Sequence, residues 1–276
     1  MIEKIGFMQG RLSPMVDGKI QAFPWGCWQD EILAAKHIGI SIMEWTLDQD
    51  RLYENPIMTR AGQKEIISLC KKNGFSIPSL TGDCFMQAPF WKVDDAATCD
   101  KLKSDFNAII ESCSNIGLEM VVVPLVDAGS LEDIRQENIL VDFLSQQQDR
   151  LNELGVRIIF ESDFAPAEVD RFISRLDVDI FGINYDIGNS AALGFDPSEE
   201  FACFGNRVIN VHVKDRVRNG NTVPLGQGSA DFGKVQSLLK SHSYGGNFIL
   251  QTARANDDQH IEVLREYKKF VQHGFQ

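Results

Sequence analysis

The amino-acid sequence predicts a single (β/α)8 barrel, and three observations carry that prediction. Short apolar segments recur eight times, the stretches between them have helical periodicity, and no Gly/Ser/Pro-rich linker divides the 276 residues. The first strand candidate is Ile5 to Met8. The next four each follow a glycine: Gly39-Ile40-Ser41-Ile42, Gly74-Phe75-Ser76-Ile77, Gly117-Leu118 running into Met120 to Val123, and Gly155-Val156 running to Phe160. Each glycine closes a helical pattern, where a left-handed cap is wanted. Ile180 to Tyr185, Val208 to Val213 and Phe248 to Leu250 complete the eight. Their starts lie about 35 residues apart on average, room for one strand, one helix and two loops.

The helices follow from spacing and caps. Asn55-Pro56 and Asp196-Pro197 each combine a capping side chain with a first-turn proline. Leu102, Phe106, Ile109, Ile110, Cys113 and Ile116 form one apolar stripe. A second stripe runs through Ile139, Leu140, Phe143, Leu144, Leu151 and Leu154, and a third through Ile261, Leu264, Tyr267 and Val271. Strands that are apolar almost throughout imply burial on both faces, which favours a closed barrel spanning residues 1–276 over an open doubly wound sheet. The longest irregular stretches, Gly10 to Trp28, Thr81 to Val93 and Arg216 to Ser229, all follow strands, the side of a barrel that carries function.

Composition bounds the function. The chain is 43% apolar and 24% charged, with 39 acids against 27 bases and a net charge of −12, which excludes a disordered chain and opposes non-specific nucleic-acid binding. Charges at Glu3 and Lys4 interrupt any secretory leader, and no segment approaches a membrane span. A cytoplasmic protein is expected, with no nucleic-acid or membrane partner. Six dispersed cysteines without a C-x-x-C pair suit reduced thiols.

Because the active site of such a barrel lies at the carboxyl ends of its strands, the informative residues are those ending each apolar run. The fifth strand ends in Glu161, the sixth in Asp186, the seventh in His212 and the eighth in Gln251. Two carboxylates, an imidazole and an amide oxygen on one rim can surround one divalent ion, Mn²⁺, Co²⁺, Mg²⁺ or Zn²⁺, and leave positions open for substrate. Singly, each also fits a plain role as an ion-pair partner, a helix cap, a core histidine or a hydrogen-bonding rim amide. Gln9 and Glu44 at the ends of the first two strands, together with Asp83 and Asn189, are candidate substrate ligands. Arg11 and Arg216, with Arg218 and Arg254, could hold a phosphate or carboxylate. Lys214 shares the inward parity of His212 and could hold an oxyanion, or pair with Asp186 or Glu161. Trp25, Trp28, Phe90 and Trp91 could wall a sugar or pack over the barrel mouth.

Over nearly its full length the chain resembles the xylose isomerase-like TIM barrels, the superfamily of sugar and sugar-phosphate isomerases and epimerases. The likeness rests on Phe160-Glu161, Tyr185-Asp186-Ile187-Gly188-Asn189, Val211-His212-Val213-Lys214-Asp215, Pro224-Leu225-Gly226-Gln227-Gly228, Asp231-Phe232 and Tyr244-Gly245-Gly246. The resemblance implies that Glu161, Asp186, His212 and Gln251 bind one divalent metal, and that the residues at 161 and 251 act as paired glutamate bases on a small sugar or sugar phosphate. It also implies a homo-oligomer. Gln251 departs from the pattern: it can offer an amide oxygen to a metal but cannot exchange a proton. Glu161 remains as ligand and base, with Asp83, Glu44, Asp163 and Lys214 as candidates to replace the second acid. The departure leaves open one-base chemistry, such as dehydration of a keto-sugar or keto-polyol, and a barrel that only binds sugar. With only five histidines, the chain is poorly suited to the trinuclear zinc site of the superfamily's endonucleases.

Overall fold

The computed structural model describes residues 4–255 and 258–275; the chain start read at Met1 to Glu3 lies outside them. Eight parallel strands close into a barrel. They are β1 (Ile5–Met8), β2 (Ile42–Thr46), β3 (Ser76–Thr81), β4 (Met120–Leu125), β5 (Arg157–Ser162), β6 (Phe181–Asp186), β7 (Val208–Val213) and β10 (Asn247–Leu250), with β10 sealing β7 to β1. A two-stranded hairpin, β8 (Asp215–Arg216) and β9 (Thr222–Val223), rises from the end of β7. The helices are α1 (Trp28–His37), α2 (Arg60–Asn73), α3 (Asp83–Gln87), α4 (Ala96–Asn115), α5 (Ile134–Leu154), α6 (Pro166–Ile173), α7 (Ile187–Leu193), α8 (Pro197–Phe204), α9 (Phe232–Ser241) and α10 (His260–Gln272).

The punctuation read from the sequence is where the chain turns. Gly39, Gly74, Gly117 and Gly155 all take positive φ, between 61° and 77°, just after α1, α2, α4 and α5. Asp196 caps α8 by accepting from the Ser198 amide. Asn55-Pro56 instead opens a single 3-10 turn, Pro56–Met58, and the α-helix behind it starts at Arg60, capped by Thr59, whose hydroxyl accepts from the Gly62 amide. Two strands are also displaced from their expected spans. β2 runs from Ile42 to Thr46 and β3 from Ser76 to Thr81, so both continue past the apolar runs that announced them. Pro78 and Ser79 interrupt the apolar pattern of β3 without ending the strand. Pro78 supplies no amide, but its carbonyl accepts from the Glu119 amide and keeps the ladder intact.

Two apolar layers hold the barrel. The main one lies between strands and helices, with Phe160 of β5 against Phe172 of α6 and Phe181 of β6. A smaller cluster of Met120, Val122 and Ile159 plugs the barrel interior. Period-two alternation then puts Glu161 on the same inner face as Ile159, one step nearer the carboxyl rim. Phe90, Trp91 and Trp28 belong to the main core, each no more than 3% exposed, so these three rings support the rim by packing. Trp25 is half-buried under the Arg51 guanidinium. Among the described residues no helix is long and apolar enough to cross a membrane.

Candidate metal centre and active site

The sheet register sets the cluster. Asp186 and His212 are direct partners across β6 and β7, and the Gln251 amide bonds the Val213 carbonyl just beyond β10. Glu161 lies on the adjoining β5. Ligand atoms of Glu161, Asp186 and His212 all lie within 4.8 Å of one another, and the three side chains are buried. His212 Nδ1 is 3.1 Å from Glu161 Oε2 and 3.9 Å from Asp186 Oδ2, yet it has no aligned hydrogen bond. Gln251 gives its amide to Gln21 Oε1 at 3.0 Å, leaving Oε1 buried without a partner.

A bare buried acceptor on Gln251 is costly unless a donor or a cation meets it. The donor set of two carboxylate oxygens, one imidazole nitrogen and one amide oxygen therefore fits a divalent cation. Glu161 and Asp186 supply −2, which neutralises such an ion without excess.

A second set of polar groups lies beneath the cluster. Glu44, expected at a strand end, sits within β2 and is fully buried. Its carboxylate accepts from Ser79 Oγ and Thr81 Oγ1 at 2.6 Å each, from Asn210 Nδ2 at 3.0 Å, and lies 2.6 Å from His212 Nε2. That last contact fixes the imidazole with Nδ1 toward Glu161 and Asp186, the carboxylate–histidine arrangement typical of metal ligands. Asn210 also donates to Asn184, which donates to Glu161 Oε2 at 3.1 Å. Ser79, Thr81, Asn184 and Asn210 carry no chemistry in the sequence pattern. Their signal is parity, since each stands two residues from another polar residue in an otherwise apolar strand.

The remaining candidates divide by position. Asn189 joins the cluster: it donates to Glu161 Oε1 at 2.5 Å and accepts from Arg216 and Lys214. Lys214 pairs with Asp186 Oδ2 at 2.7 Å. Glu161, Asp83, Asn189, Lys214, Arg216 and Gln251 share the wall of one cavity of about 420 Å³ at the rim. Gln9 is fully buried, accepts from the Thr46 amide and leaves its own amide nitrogen without a partner. Arg11 is buried and braces loops, through the Thr252 and Ile20 carbonyls; burial and the nearby Arg254 lower it to about 9. Its loop is held by the buried Glu31, which accepts from the Gly10 and Leu12 amides.

In the rim hairpin, Asp215 accepts from the amides of Gly226, Gly228 and Ala230. A Cβ at Gly228 would stand 2.1 Å from Asp215 Oδ1, so this turn excludes a side chain there. These contacts tie the Pro224–Gly228 sequence to β8, which follows directly on Lys214 and the β7 strand of His212.

Burial opposes a charge on His212, but Glu44 at one nitrogen and Glu161 at the other raise it to about 10. A ligating nitrogen must be deprotonated, so metal uptake at neutral pH displaces this proton. We expect about one proton released per metal, and affinity rising roughly tenfold per pH unit from 7 toward 10. Calorimetry in buffers of different ionisation enthalpy measures it; pH-independent affinity across that window would contradict it.

Comparison with known proteins follows the same lines. The family model described as "Xylose isomerase-like TIM barrel" matches residues 32–269. An L-ribulose-5-phosphate 3-epimerase, UlaE, of Salmonella paratyphi A is 23% identical over 241 residues, 84% of each chain. The crystal structure of the IOLI protein with a bound zinc atom superposes with a TM-score of 0.78 at 16% identity, covering 99% of this chain and 98% of that one. A D-psicose 3-epimerase solved in the presence of D-fructose gives 0.76 at 15% identity, covering 99% of both.

Proposed function

The chain belongs to the xylose isomerase-like TIM barrel family, and from that premise we propose that it is a divalent-metal-dependent epimerase or isomerase of a small ketose, free or phosphorylated. The observation that carries the proposal is the convergence of ligand atoms of Glu161, Asp186 and His212 within 4.8 Å of one another, with Glu161 lining the same cavity as Gln251, whose Oε1 is buried without a partner.

Glu161, Asp186, His212 and Gln251 would hold the ion. When bound, a divalent ion polarises a carbonyl and its neighbouring hydroxyl, acidifying the adjoining C–H. Glu161 lines the rim cavity and is the proton acceptor for that C–H. Burial raises its pKa, while His212 and Lys214 outweigh that and hold it below the usual carboxylate range, so it is ionised at neutral pH. Asn189 and Asn184 clamp its two oxygens and fix their direction. Lys214 and Arg216 present positive charge to the cavity wall, where it stabilises an enediolate oxygen.

Gln251 favours a second reading, in which a single base carries out an aldose–ketose shift or dehydrates a keto-polyol. The test is deuterium wash-in from D₂O, with Mn²⁺-loaded protein and D-fructose, D-psicose and L-ribulose 5-phosphate as probes. We expect metal-dependent deuterium at the carbon beside the carbonyl of at least one probe, abolished by a chelator. A product lacking one water, detected by mass, would select the dehydratase. No exchange into any probe at saturating metal would favour a barrel that only binds sugar.

A further inference from the structure

Gln251 leaves the proposed reaction without a proton donor for the second face of the reacting carbon, and the structure offers one residue to fill that role. Gln21, from the loop after β1, accepts from Gln251 Nε2 at 3.0 Å and donates its own amide to Asp83 Oδ2 at 2.8 Å. One side-chain amide therefore spans Gln251 and Asp83. We propose that Asp83 is the second proton-transfer residue, placed by the Gln251–Gln21–Asp83 chain to serve the face of the ketose that Glu161 does not reach. The inference rests on the epimerase reading above.

Topology supports the assignment. In the barrel, β5, β6, β7 and β10 form one continuous arc, and that arc carries all four metal-ligand candidates. Asp83 follows β3, on the complementary arc, and lines the same cavity as Glu161 and Gln251. A ketose in that cavity lies between the two arcs. The other acids are less suited. Asp163 is two residues beyond Glu161 on the same strand side and is bonded by Ser130. Asp48 is held by the Phe23 amide and Gln87. Asp127 is exposed, whereas Asp83 is 7% exposed.

Burial, then Asp48 and Glu161, raise Asp83 to about 7, against the opposing effects of the Gln21 bond and the Arg11 charge. Near neutrality it therefore has both protonation states available, as a group that alternately donates and accepts requires.

The step balances. Glu161 removes the proton beside the carbonyl, and the C–H electron pair passes into the carbonyl to give an enediolate. Protonated Asp83 delivers its proton to the opposite face of that carbon, forming the new C–H bond and leaving Asp83 ionised and Glu161 protonated. The reverse turnover, or proton exchange with water, restores both.

Asp83→Asn separates this role from a structural one. With Mn²⁺-loaded protein and the three probes in D₂O, we expect interconversion of epimers to fall at least 100-fold. Deuterium exchange by Glu161 should continue into one epimer only, with Mn²⁺ affinity within threefold of the parent. The double variant Asp83→Asn/Gln251→Glu should regain interconversion. Asp83→Asn that interconverts epimers within threefold of the parent, or that loses exchange into both epimers alike, overturns the assignment of Asp83 while the epimerase reading stands. A parent protein that exchanges none of the probes overturns both.

Discussion

Glu161→Gln should lower deuterium exchange into the reactive ketose by about 10³-fold at saturating metal, the usual scale for removing a positioned general base. The amide keeps the shape and one acceptor oxygen but is too weak a base to take a proton from carbon. Both Glu161 oxygens are engaged by Asn184 and Asn189, and an amide in that place would turn its NH₂ toward one of these donors. We therefore also expect metal affinity to fall by about tenfold or more, since the carboxylate count of the donor set drops from two to one. Raising the metal concentration until occupancy is complete separates the two effects. If exchange recovers to within tenfold of the parent under those conditions, Glu161 is a ligand alone and the base is elsewhere.

Glu44→Ala should be the most destabilising single change at the site, although Glu44 is not among the residues lining the rim cavity. Its carboxylate is the shared acceptor for Ser79, Thr81, Asn210 and His212. Truncation leaves four donors in the barrel interior without their shared acceptor and the His212 charge without its nearer counter-charge. Breaking a buried charged pair from one side costs about 3–5 kcal/mol, visible as a lower denaturation midpoint for the metal-free protein. His212 also loses the contact that sets its ring, so metal affinity should fall about 10–100-fold. Glu44→Gln, which keeps the volume and one carbonyl acceptor, should retain more of the stability than of the metal affinity. Unchanged metal affinity in a folded Glu44→Gln protein would remove the coupling between Glu44 and the ligand set.

The barrel and the ligand strands were readable because both depend on period and punctuation. A capping glycine before a strand and an inward polar residue at its end are local signals. They led to Glu161, Asp186, His212 and Gln251, which the fold brings onto adjoining strands. Glu44 was placed by the same rule at a strand end, and the rule misplaced it because it equates a strand with its apolar run. β2 continues through Glu44 to Thr46, since a closed barrel can bury a polar residue wherever inward neighbours satisfy it. Asn184 and Asn210 were missed for the same reason. Gln21 was not readable at all: it lies in an irregular loop without period, and only tertiary contact brings it between Gln251 and Asp83. For three of the aromatic residues the packing alternative is the one the fold realises. Trp28, Phe90 and Trp91 follow strands in sequence, yet pack into the layer between strands and helices instead of facing the cavity.

The central claim is that one divalent ion sits among Glu161, Asp186, His212 and Gln251. The most direct measurement is anomalous scattering from crystals of the protein grown with Mn²⁺. We expect one full-occupancy peak at about 2.0–2.4 Å from a carboxylate oxygen of Glu161 and of Asp186, from His212 Nδ1 and from Gln251 Oε1. No peak at saturating Mn²⁺, or a peak held by other residues with Gln251 Oε1 turned away, would contradict it.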